Sequence, residues 1–145
     1  DKKIKVIKTN RGGKITIHNP GQKIVYFTLD LNRRKKDIKN LVKQMELCII
    51  SFLELHKIKS YADKKNIGIW VKGKKIAAIG IRVSNWVAYH GFSININNDL
   101  DHYKKIIPCG LDNTKVTSIK AEGKNKILNL ENKLKDVFLE SLENI

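Results

Sequence analysis

The two cysteines of this sequence, Cys48 and Cys109, are candidate nucleophiles, and their contexts differ. Cys48 lies beside the apolar stripe of a predicted helix, a position typical of a small buried side chain. Cys109 lies between Pro108 and Gly110, in a predicted loop where a substrate can reach the thiol. A reactive thiol also needs a nearby base or cation that favours the thiolate. Residue type and context alone therefore leave Cys109 either a nucleophile or, more simply, an ordinary loop thiol. Because the two cysteines are far apart, no disulfide framework is predicted.

Other residues suited to chemistry are equally open to a structural interpretation. The Arg11-Gly12-Gly13 segment could bring backbone N–H groups to an oxyanion or a carboxyl group, or could be a plain hairpin turn. His18 and His90 each follow a strand-like pattern, where a structural histidine is the simpler interpretation. The sequence has no Gly-Lys-Ser/Thr phosphate loop, no paired Cys-x-x-Cys and no His-Glu-x-x-His motif, so metal binding is unsupported. A nucleophile elbow is also absent from the sequence.

The composition fits one globular domain that carries a strong positive charge. The chain has 145 residues, 41% of them hydrophobic, and we expect a single domain over residues 1–145. The net charge of +15 comes from lysines that are scattered along the chain rather than clustered. It therefore indicates a solvated basic surface or an acidic protein partner in preference to nucleic acid. No apolar run is long enough for a membrane span and no signal-peptide core follows the first residues, so a cytoplasmic protein without membrane association is expected.

Hydrophobic periodicity predicts a β-rich chain with two substantial helices in separate blocks. Alternating or β-branched runs predict strands over residues 3–9, 14–18, 23–31, 67–71, 75–83 and 86–95, the last interrupted at His90-Gly91. A turn at residues 72–74 joins two of them in a hairpin. Asp37 is a candidate N-cap for a helix whose apolar stripe runs to His56, and a second amphipathic helix covers residues 130–142. With a short helical piece at 101–106, the pattern favours an α+β sheet covered by helices.

Four sequence blocks together resemble one family. Residues 11–22 (RGGKITIHNPGQ), residues 68–71 with 75–83 (GIWV and KIAAIGIRV), residues 89–95 (YHGFSIN) and residues 107–111 (IPCGL) resemble, in the same order, the motifs of the octanoyltransferases. The resemblance implies the fold of the biotin and lipoate protein ligase catalytic domains, a mixed β-sheet flanked by helices. It also implies an acyltransferase that moves an octanoyl group from octanoyl-acyl carrier protein to a lysine of a lipoyl domain through a cysteine thioester.

The resemblance also implies which partners such an enzyme meets. They are octanoyl-acyl carrier protein and the lipoyl domains of the 2-oxoacid dehydrogenases and of the glycine cleavage H protein. No cofactor, metal or nucleic acid is implied. Both kinds of carrier protein are typically acidic, so we expect the basic surface to steer their approach.

By the same resemblance, Cys109 is the nucleophile that carries the octanoyl thioester and Lys75 is the acid/base that pairs with it. A desolvated Lys75 suits this role, because it must take up a proton from the attacking amine. The residues expected to line the substrate pocket are Arg11, Gly12, Gly13, Lys14, Ile15, Thr16, Ile17, His18, Ala78, Ile79, Gly80, His90, Gly91, Phe92 and Ser93. Among them, Ile79 and Phe92 are expected walls for the acyl chain, and the backbone around Gly80 and Gly91 is the expected source of oxyanion donors.

The sequence departs from the family at two points. Asn19 stands where the family has Gly, and Asn is the next most tolerated residue if that position needs a positive φ. The family also has a strand–helix segment and a further strand before the motif that begins at Arg11, whereas this chain starts ten residues before it. We therefore expect part of the sheet and of the acyl pocket wall to be missing. Two alternatives stay open: a truncated or decayed non-catalytic homologue, and an ATP-dependent lipoate ligase, against which the Pro-Cys-Gly block argues.

Overall fold

A computed structural model describes residues 5–13, 15–105, 115–124 and 127–145, and these contain a five-stranded antiparallel sheet. The strands are β1 (Gln22–Asp30), β2 (Tyr61–Ala62), β3 (Ile69–Val71), β4 (Lys74–Ser84) and β5 (Val87–Asn95), in the spatial order β1-β5-β4-β3-β2. Two α-helices accompany the sheet, α1 (Ile38–Glu54) and α2 (Leu130–Leu142). Short 3-10 helices cover Leu31–Arg33 and Asp101–Lys105. The predicted α+β class is confirmed.

Helix α1 begins where the sequence predicts. The Asp37 side chain accepts a hydrogen bond from the backbone N–H of Asn40 at 2.9 Å, which caps the first turn. The helix ends at Glu54, and His56, which the predicted stripe included, stacks on Phe52 with ring centroids 4.8 Å apart. The apolar stripe is buried against the sheet and α2; its buried members are Leu41, Met45, Cys48, Ile49, Phe52 and Leu53.

Aromatic rings join one face of the sheet to α2. The ring centroid of Phe138 in α2 lies 5.6 Å from that of Phe27 on β1 and 6.2 Å from that of Phe92 on β5. Along β4 and β5, alternate side chains point towards the helices, and these side chains complete this core. The two helices therefore cover one face of the sheet, and the opposite face is available to other parts of the chain.

Two hairpins of the sheet have two-residue turns in which both residues are left-handed. Lys72 and Gly73 connect β3 to β4 with φ values of 48° and 75°, and Asn85 and Trp86 connect β4 to β5 with φ values of 50° and 61°. Two consecutive positive φ values give a turn whose twist matches that of the flanking strands. The predicted hairpin around residues 72–74 is thereby confirmed.

Strand β5 runs unbroken through His90 and Gly91, where the predicted interruption is wrong. Their φ values are 70° and 159°, yet β5 pairs with β1 and β4 along its whole length. A close approach of backbone explains the glycine, because a Cβ at Gly91 would lie 2.0 Å from the carbonyl oxygen of Val25 on β1. Gly91 thus lets two strands pair instead of ending one of them.

The N-terminal segment forms no strand in its described part, residues 5–13 and 15–18, although alternation predicts strands over 3–9 and 14–18. The segment crosses the sheet face opposite the helices and bonds to it at separate points. The N–H of Gly12 donates to the Ile81 carbonyl at 3.2 Å, and the Arg82 guanidinium donates to the Asn10 carbonyl at 3.0 Å. The strand prediction is wrong in these residues because the backbone bond from Gly12 to Ile81 is not repeated along the segment, as a hydrogen-bond ladder requires.

The five strands of the described residues pair antiparallel throughout, so the mixed sheet that we expected is not seen among them, and a parallel contact occurs as an isolated bridge at the start of β4. The N–H of Lys75 donates to the Lys115 carbonyl and the N–H of Thr117 donates to the Lys75 carbonyl, each at 2.9 Å. These two bonds form a parallel bridge between Lys75 and Val116. The chain that follows residues 106–114 is thereby attached to the backbone of Lys75.

None of the helices in the part of the chain that the structure describes combines the length and the apolar character needed to cross a bilayer. The cytoplasmic location stays a prediction.

We predict that Gly91→Ala lowers the free energy of unfolding by about 3 kcal/mol or more, because the added methyl group pushes β1 away from β5 at a residue of positive φ. Gly73→Ala is the matched control, since φ there is also positive but nothing lies within 4 Å of an added Cβ. It should cost only about 1–2 kcal/mol. Chemical denaturation measures both values, and equal losses would contradict the close-approach explanation.

Candidate active site

Lys75, the predicted acid/base, is a buried lysine at the start of β4 with 5% of its surface exposed. Its Nζ donates a hydrogen bond to the Ile67 carbonyl oxygen at 2.8 Å and lies 5.6 Å from the centre of the Trp70 ring. Both contacts offset part of the cost of removing an ammonium group from water. The desolvation that the sequence predicts for Lys75 is therefore present, and its charge is held at a defined position.

A β-bulge directs the Lys75 side chain to the sheet face opposite the helices. Trp70 pairs with Lys75 but Ile69 pairs with Ala77, so Ile76 is an extra residue on β4. Strict alternation would put Lys75 on the same side of the sheet as Ala77. With the bulge, Ile76 and Ala77 both contribute to the core, while Lys75 lines a pocket on the other face.

Gly68 leaves the space that the Lys75 side chain occupies. A Cβ at Gly68 would lie 2.5 Å from Cε and 3.0 Å from Nζ of Lys75, and its φ of 137° also favours glycine. The Trp70 indole N–H donates to the Asn66 carbonyl at 3.1 Å, which fixes the ring beside the ammonium. The sequence analysis assigned no role to Gly68 and Trp70. A glycine and an aromatic residue shortly before the candidate lysine were the features that could have indicated one.

The pocket in front of Lys75 brings together part of the predicted substrate-binding set. Its lining residues are Thr16, Lys75, Ala77, Ala78, Ser93, Asn95, Tyr103 and Val116. Of these, Thr16, Ala78 and Ser93 were predicted, and Ala78 and Ser93 are register partners on β4 and β5, so they share a face. Their small side chains leave room beside the ammonium.

A second group of predicted residues gathers further along the same face. Arg11 and Gly12 lie over Gly80, where an added Cβ would meet Cδ of Arg11 at 2.8 Å and the Gly12 carbonyl oxygen at 3.3 Å. Nε2 of His90 lies 2.8 Å from the side-chain oxygen of Asn10. Gly80 thus makes room for the crossing segment, just as Gly91 makes room for β1, and an oxyanion role for either backbone stays a prediction.

The side chains of Ile79 and Phe92, the expected walls of the acyl site, lie on the face that the helices cover. Phe92 is 3% exposed and belongs to the core beside Phe138. Ile79 is its register partner and packs against the same core. The structure therefore does not bring these two side chains into the pocket in front of Lys75.

The remaining residues between Gly13 and His18 that were expected to line the substrate pocket differ in burial and contacts. Ile17 is buried and Ile15 is half exposed, so the two do not share one buried face. Nδ1 of His18 lies 3.1 Å from the side-chain oxygen of Gln22. Gly13 has a φ of 86°, as a turn glycine does. Lys14 lies outside the described residues.

A buried polar network at the end of β5 was missed by sequence reasoning. The Asn95 side-chain oxygen accepts hydrogen bonds from Nε2 of Gln22 at 2.8 Å and from the Tyr103 hydroxyl at 3.2 Å. Gln22 also donates to the Tyr103 oxygen at 2.6 Å, and Nδ2 of Asn95 donates to the Thr117 carbonyl at 2.9 Å. The only indication in the sequence was that Gln22 and Asn95 are the last residues of two of the blocks that resemble the octanoyltransferase motifs.

Asn19, which stands where the family has Gly, acts through its side chain. The φ of Asn19 is not positive, so this position does not need a glycine for its backbone conformation. Its Nδ2 donates to the Asp99 carbonyl at 2.7 Å and lies 3.0 Å from Nδ1 of His102, while its side-chain oxygen accepts from Asn98 at 3.1 Å. Among the described residues of the motif over 11–22, the positive φ values belong to Gly13, at 86°, and Gly21, at 91°.

A carboxylate, Glu122, ties the start of β4 to the stretch that pairs with Lys75. It accepts hydrogen bonds from the Thr117 hydroxyl at 2.6 Å and from Lys74 at 2.9 Å, and its side chain is 8% exposed. Burial alone would raise the pKa of Glu122, but the bonds from Thr117 and Lys74 and the charges of Lys74 and Lys72 outweigh it and hold the pKa below its usual 4.5. Glu122 is therefore ionised at neutral pH.

The two cysteines can be compared only in part, since Cys109 lies outside the described residues. Cys48 is fully buried in α1, as predicted for a structural thiol. Burial raises the pKa of its thiol to about 11, against the opposing effect of a hydrogen bond with Ser141. Cys48 is therefore protonated and shielded at neutral pH, and it is unsuited to nucleophilic chemistry.

The sheet with helices on one face and a lysine pocket on the other defines a fold class, that of the biotin and lipoate protein ligases. Biotin protein ligase from Aquifex aeolicus matches with a TM-score of 0.65 and 17% identity, over 85% of this chain and 53% of that chain. A lipoate-protein ligase A bound with ATP matches with a TM-score of 0.72 and 17% identity, over 92% and 57%. At these identities the likeness establishes the fold alone.

Sequence similarity defines the family. Residues 1–143 match the lipoyl protein ligase A/B catalytic domain, and the chain belongs to this family. A protein named octanoyltransferase from Anaplasma phagocytophilum (strain HZ) is 49% identical over 124 residues, which cover 82% of this chain. The chain spans 60% of the length of that relative. The family resemblance predicted from the sequence motifs is confirmed.

We predict that Glu122→Gln destabilises the protein at neutral pH by about 1–3 kcal/mol, because it removes a charge-assisted bond to Lys74. Since the folded-state pKa is lowered, this contribution is complete above the unfolded pKa near 4.5 and is lost as the pH falls through the folded value. Denaturation across this acid range should show the curves of the two proteins converging. Glu131→Gln, whose ion pair with Lys23 is exposed, should change stability little. If the two proteins differ in free energy of unfolding by the same amount at all pH values, the lowered pKa is wrongly assigned to Glu122.

We predict that Asn19→Gly, which restores the family residue, lowers the free energy of unfolding by about 1–2 kcal/mol, since it removes the side-chain bonds to Asn98 and Asp99. Asn129→Gly is the control, because Asn129 has a φ of 54° and no side-chain cap bond. It should be neutral or stabilising. Thermal or chemical unfolding distinguishes the two, and a neutral Asn19→Gly would mean that its network contributes nothing.

Proposed function

We propose that this chain carries the catalytic pair of an octanoyltransferase, with Cys109 as nucleophile and Lys75 as general acid and base. An octanoyl group leaves octanoyl-acyl carrier protein, is held on Cys109 as a thioester and passes to a lysine of a lipoyl domain. The acceptors are the lipoyl domains of the 2-oxoacid dehydrogenases and of the glycine cleavage H protein. Membership of the lipoyl protein ligase A/B family and 49% identity to a protein named octanoyltransferase support this proposal.

The observation that carries the proposal is that residues on both sides of Cys109 line the Lys75 pocket. Tyr103, six residues before Cys109, and Val116, seven residues after it, both line the Lys75 pocket. Val116 is also bridged to the Lys75 backbone. Seven residues span at most about 25 Å when fully extended, so Cys109 lies within that distance of Val116. This supports a Cys109 thiol in the neighbourhood of the Lys75 ammonium.

The first step transfers the acyl group to the enzyme. The Cys109 thiolate, favoured by the Lys75 cation, attacks the octanoyl carbonyl carbon, and a new C–S bond forms. The C–S bond to the carrier protein breaks, and the departing thiolate takes a proton from the Lys75 ammonium. Lys75 is then a neutral amine beside the octanoyl-Cys109 thioester.

The second step transfers the acyl group to the acceptor and restores the enzyme. The neutral amine of a lipoyl-domain lysine attacks the thioester carbonyl, a C–N bond forms and the C–S bond to Cys109 breaks. The proton lost by the amine goes to Lys75, and Cys109 leaves as a thiolate. Because the covalent intermediate splits the reaction into two encounters, the two carrier proteins need not bind together.

The charge of the chain suits partners of this kind. A net charge of +15 attracts acidic proteins over distances longer than a hydrogen bond and raises their association rate. Salt screens such attraction over about 10 Å at 0.1 M ionic strength. The basic surface thus supports carrier proteins as substrates, although it does not by itself select the octanoyl group.

The proposal is tested by incubating the protein with octanoyl-acyl carrier protein, followed by peptide mass spectrometry. We expect an octanoyl adduct on Cys109 and none on Cys48, and its loss when a lipoyl domain is added. Lys75→Met should slow transfer by about 100-fold or more, as expected for loss of a general acid and base.

Cys48→Ala is the matched control, and it should retain both the adduct and the transfer. Cys109→Ala should abolish both. Octanoyl transfer that persists in Cys109→Ala would overturn the thioester mechanism, and lipoylation that then requires ATP would indicate a ligase.

A further inference from the structure

Asn95 is a buried amide whose hydrogen bonds reach both sides of the stretch that contains Cys109. It ends β5 and is 5% exposed. Its side-chain oxygen accepts a bond from the Tyr103 hydroxyl at 3.2 Å, and its Nδ2 donates to the Thr117 carbonyl at 2.9 Å. Tyr103 precedes Cys109 by six residues and Thr117 follows it by eight. One side chain therefore connects two parts of the chain that Cys109 separates.

The chemistry of the neighbours fixes the orientation of this amide. The Thr117 carbonyl can only accept a hydrogen bond, so the nitrogen of Asn95 must face it. The oxygen of Asn95 then faces Nε2 of Gln22, at 2.8 Å, and the Tyr103 hydroxyl. A carboxylate in this position would lack the donor and would bury a charge against the Thr117 carbonyl oxygen. The site is therefore specific for an amide, although an aspartate has nearly the same shape.

The stretch after Cys109 is held from two directions. On one side, the backbone of Lys75 exchanges hydrogen bonds of 2.9 Å with Lys115 and Thr117. On the other side, Asn95 holds the Thr117 carbonyl. The stretch before Cys109 has its own attachment, because the Tyr103 oxygen also accepts a bond from Gln22 at 2.6 Å.

We propose that Asn95 is a positioning residue for acyl transfer: by joining Tyr103 to Thr117, it holds both flanks of the Cys109 stretch at the Lys75 pocket. The inference rests on the proposed function, since it requires Cys109 to be the nucleophile. Asn95 does not itself react, because its oxygen and its donor to Thr117 are already engaged. Its effect comes through geometry, and a displacement of about 1 Å at reacting groups can cost roughly 100-fold in rate.

The test compares Asn95→Asp, Asn95→Leu and Tyr103→Phe with the unaltered protein in two measurements. One is kcat/KM for octanoyl transfer, and the other is the pH dependence of Cys109 alkylation by iodoacetamide. We expect kcat/KM to fall by roughly 10- to 100-fold in the Asn95 variants. The alkylation profile should move to higher pH, because a thiol further from Lys75 loses the cation that favours its thiolate. Tyr103→Phe, which removes one hydroxyl, should shift both in the same direction by less.

Asn98→Ala is the matched control, since Asn98 is a second buried amide but bonds Asn19 instead of the two flanks. It should lower the unfolding temperature without moving the alkylation profile. Folded Asn95 variants with an unchanged profile and unchanged kcat/KM would overturn the positioning role. If the Asn95 variants do not fold, an unchanged profile in Tyr103→Phe overturns it instead. A missing octanoyl adduct on Cys109 in the unaltered protein would overturn the proposed function itself, whereas a normal adduct with unaffected Asn95 variants overturns the positioning role alone.

Discussion

The burial of one ammonium group constrains much of this structure. A lysine removed from water must find compensating contacts, and Lys75 finds the Ile67 carbonyl at 2.8 Å and the face of Trp70. Residues near Lys75 in the chain make its burial possible. Gly68 lacks the Cβ that would collide with the lysine, and the extra residue Ile76 turns the side chain away from the apolar core. A lysine held in this way is already desolvated and fixed in position, which suits the acid/base role proposed for Lys75.

The two faces of the sheet differ in chemistry because the helices cover only one of them. On the helix side, rings such as Phe92 and Phe138 pack in an apolar core. On the other side, the N-terminal segment crosses the strands and leaves polar groups that must satisfy one another. The network of Gln22, Asn95 and Tyr103 does so without bulk solvent, since Asn95 and Tyr103 are buried. The same bonds that satisfy these groups also fix the surroundings of Lys75.

The fold alone does not select between the chemistries of its family. Biotin and lipoate protein ligases share it with this chain at 17% identity, and one of them is bound with ATP. The distinction that we propose is Cys109, which lies between two residues, Tyr103 and Val116, that line the Lys75 pocket. The chain spans 60% of the length of a relative named octanoyltransferase, and the reaction assigned to it here is a proposal.

The sequence by itself determined the features that depend on neighbouring residues. The cap of α1 at Asp37, the apolar stripe of that helix, the turn at residues 72–74 and the structural nature of Cys48 all follow from local spacing and residue type, and the motif blocks identified the family. Only the tertiary structure decided which way the strand residues face and what holds them. A single extra residue at Ile76 reverses the side on which Lys75 lies, so alternation counted along β4 cannot reveal it. The N-terminal segment alternates like a strand yet lies across a face, and Asn95 joins residues far apart in the sequence, because such contacts exist only once the chain has folded back on itself.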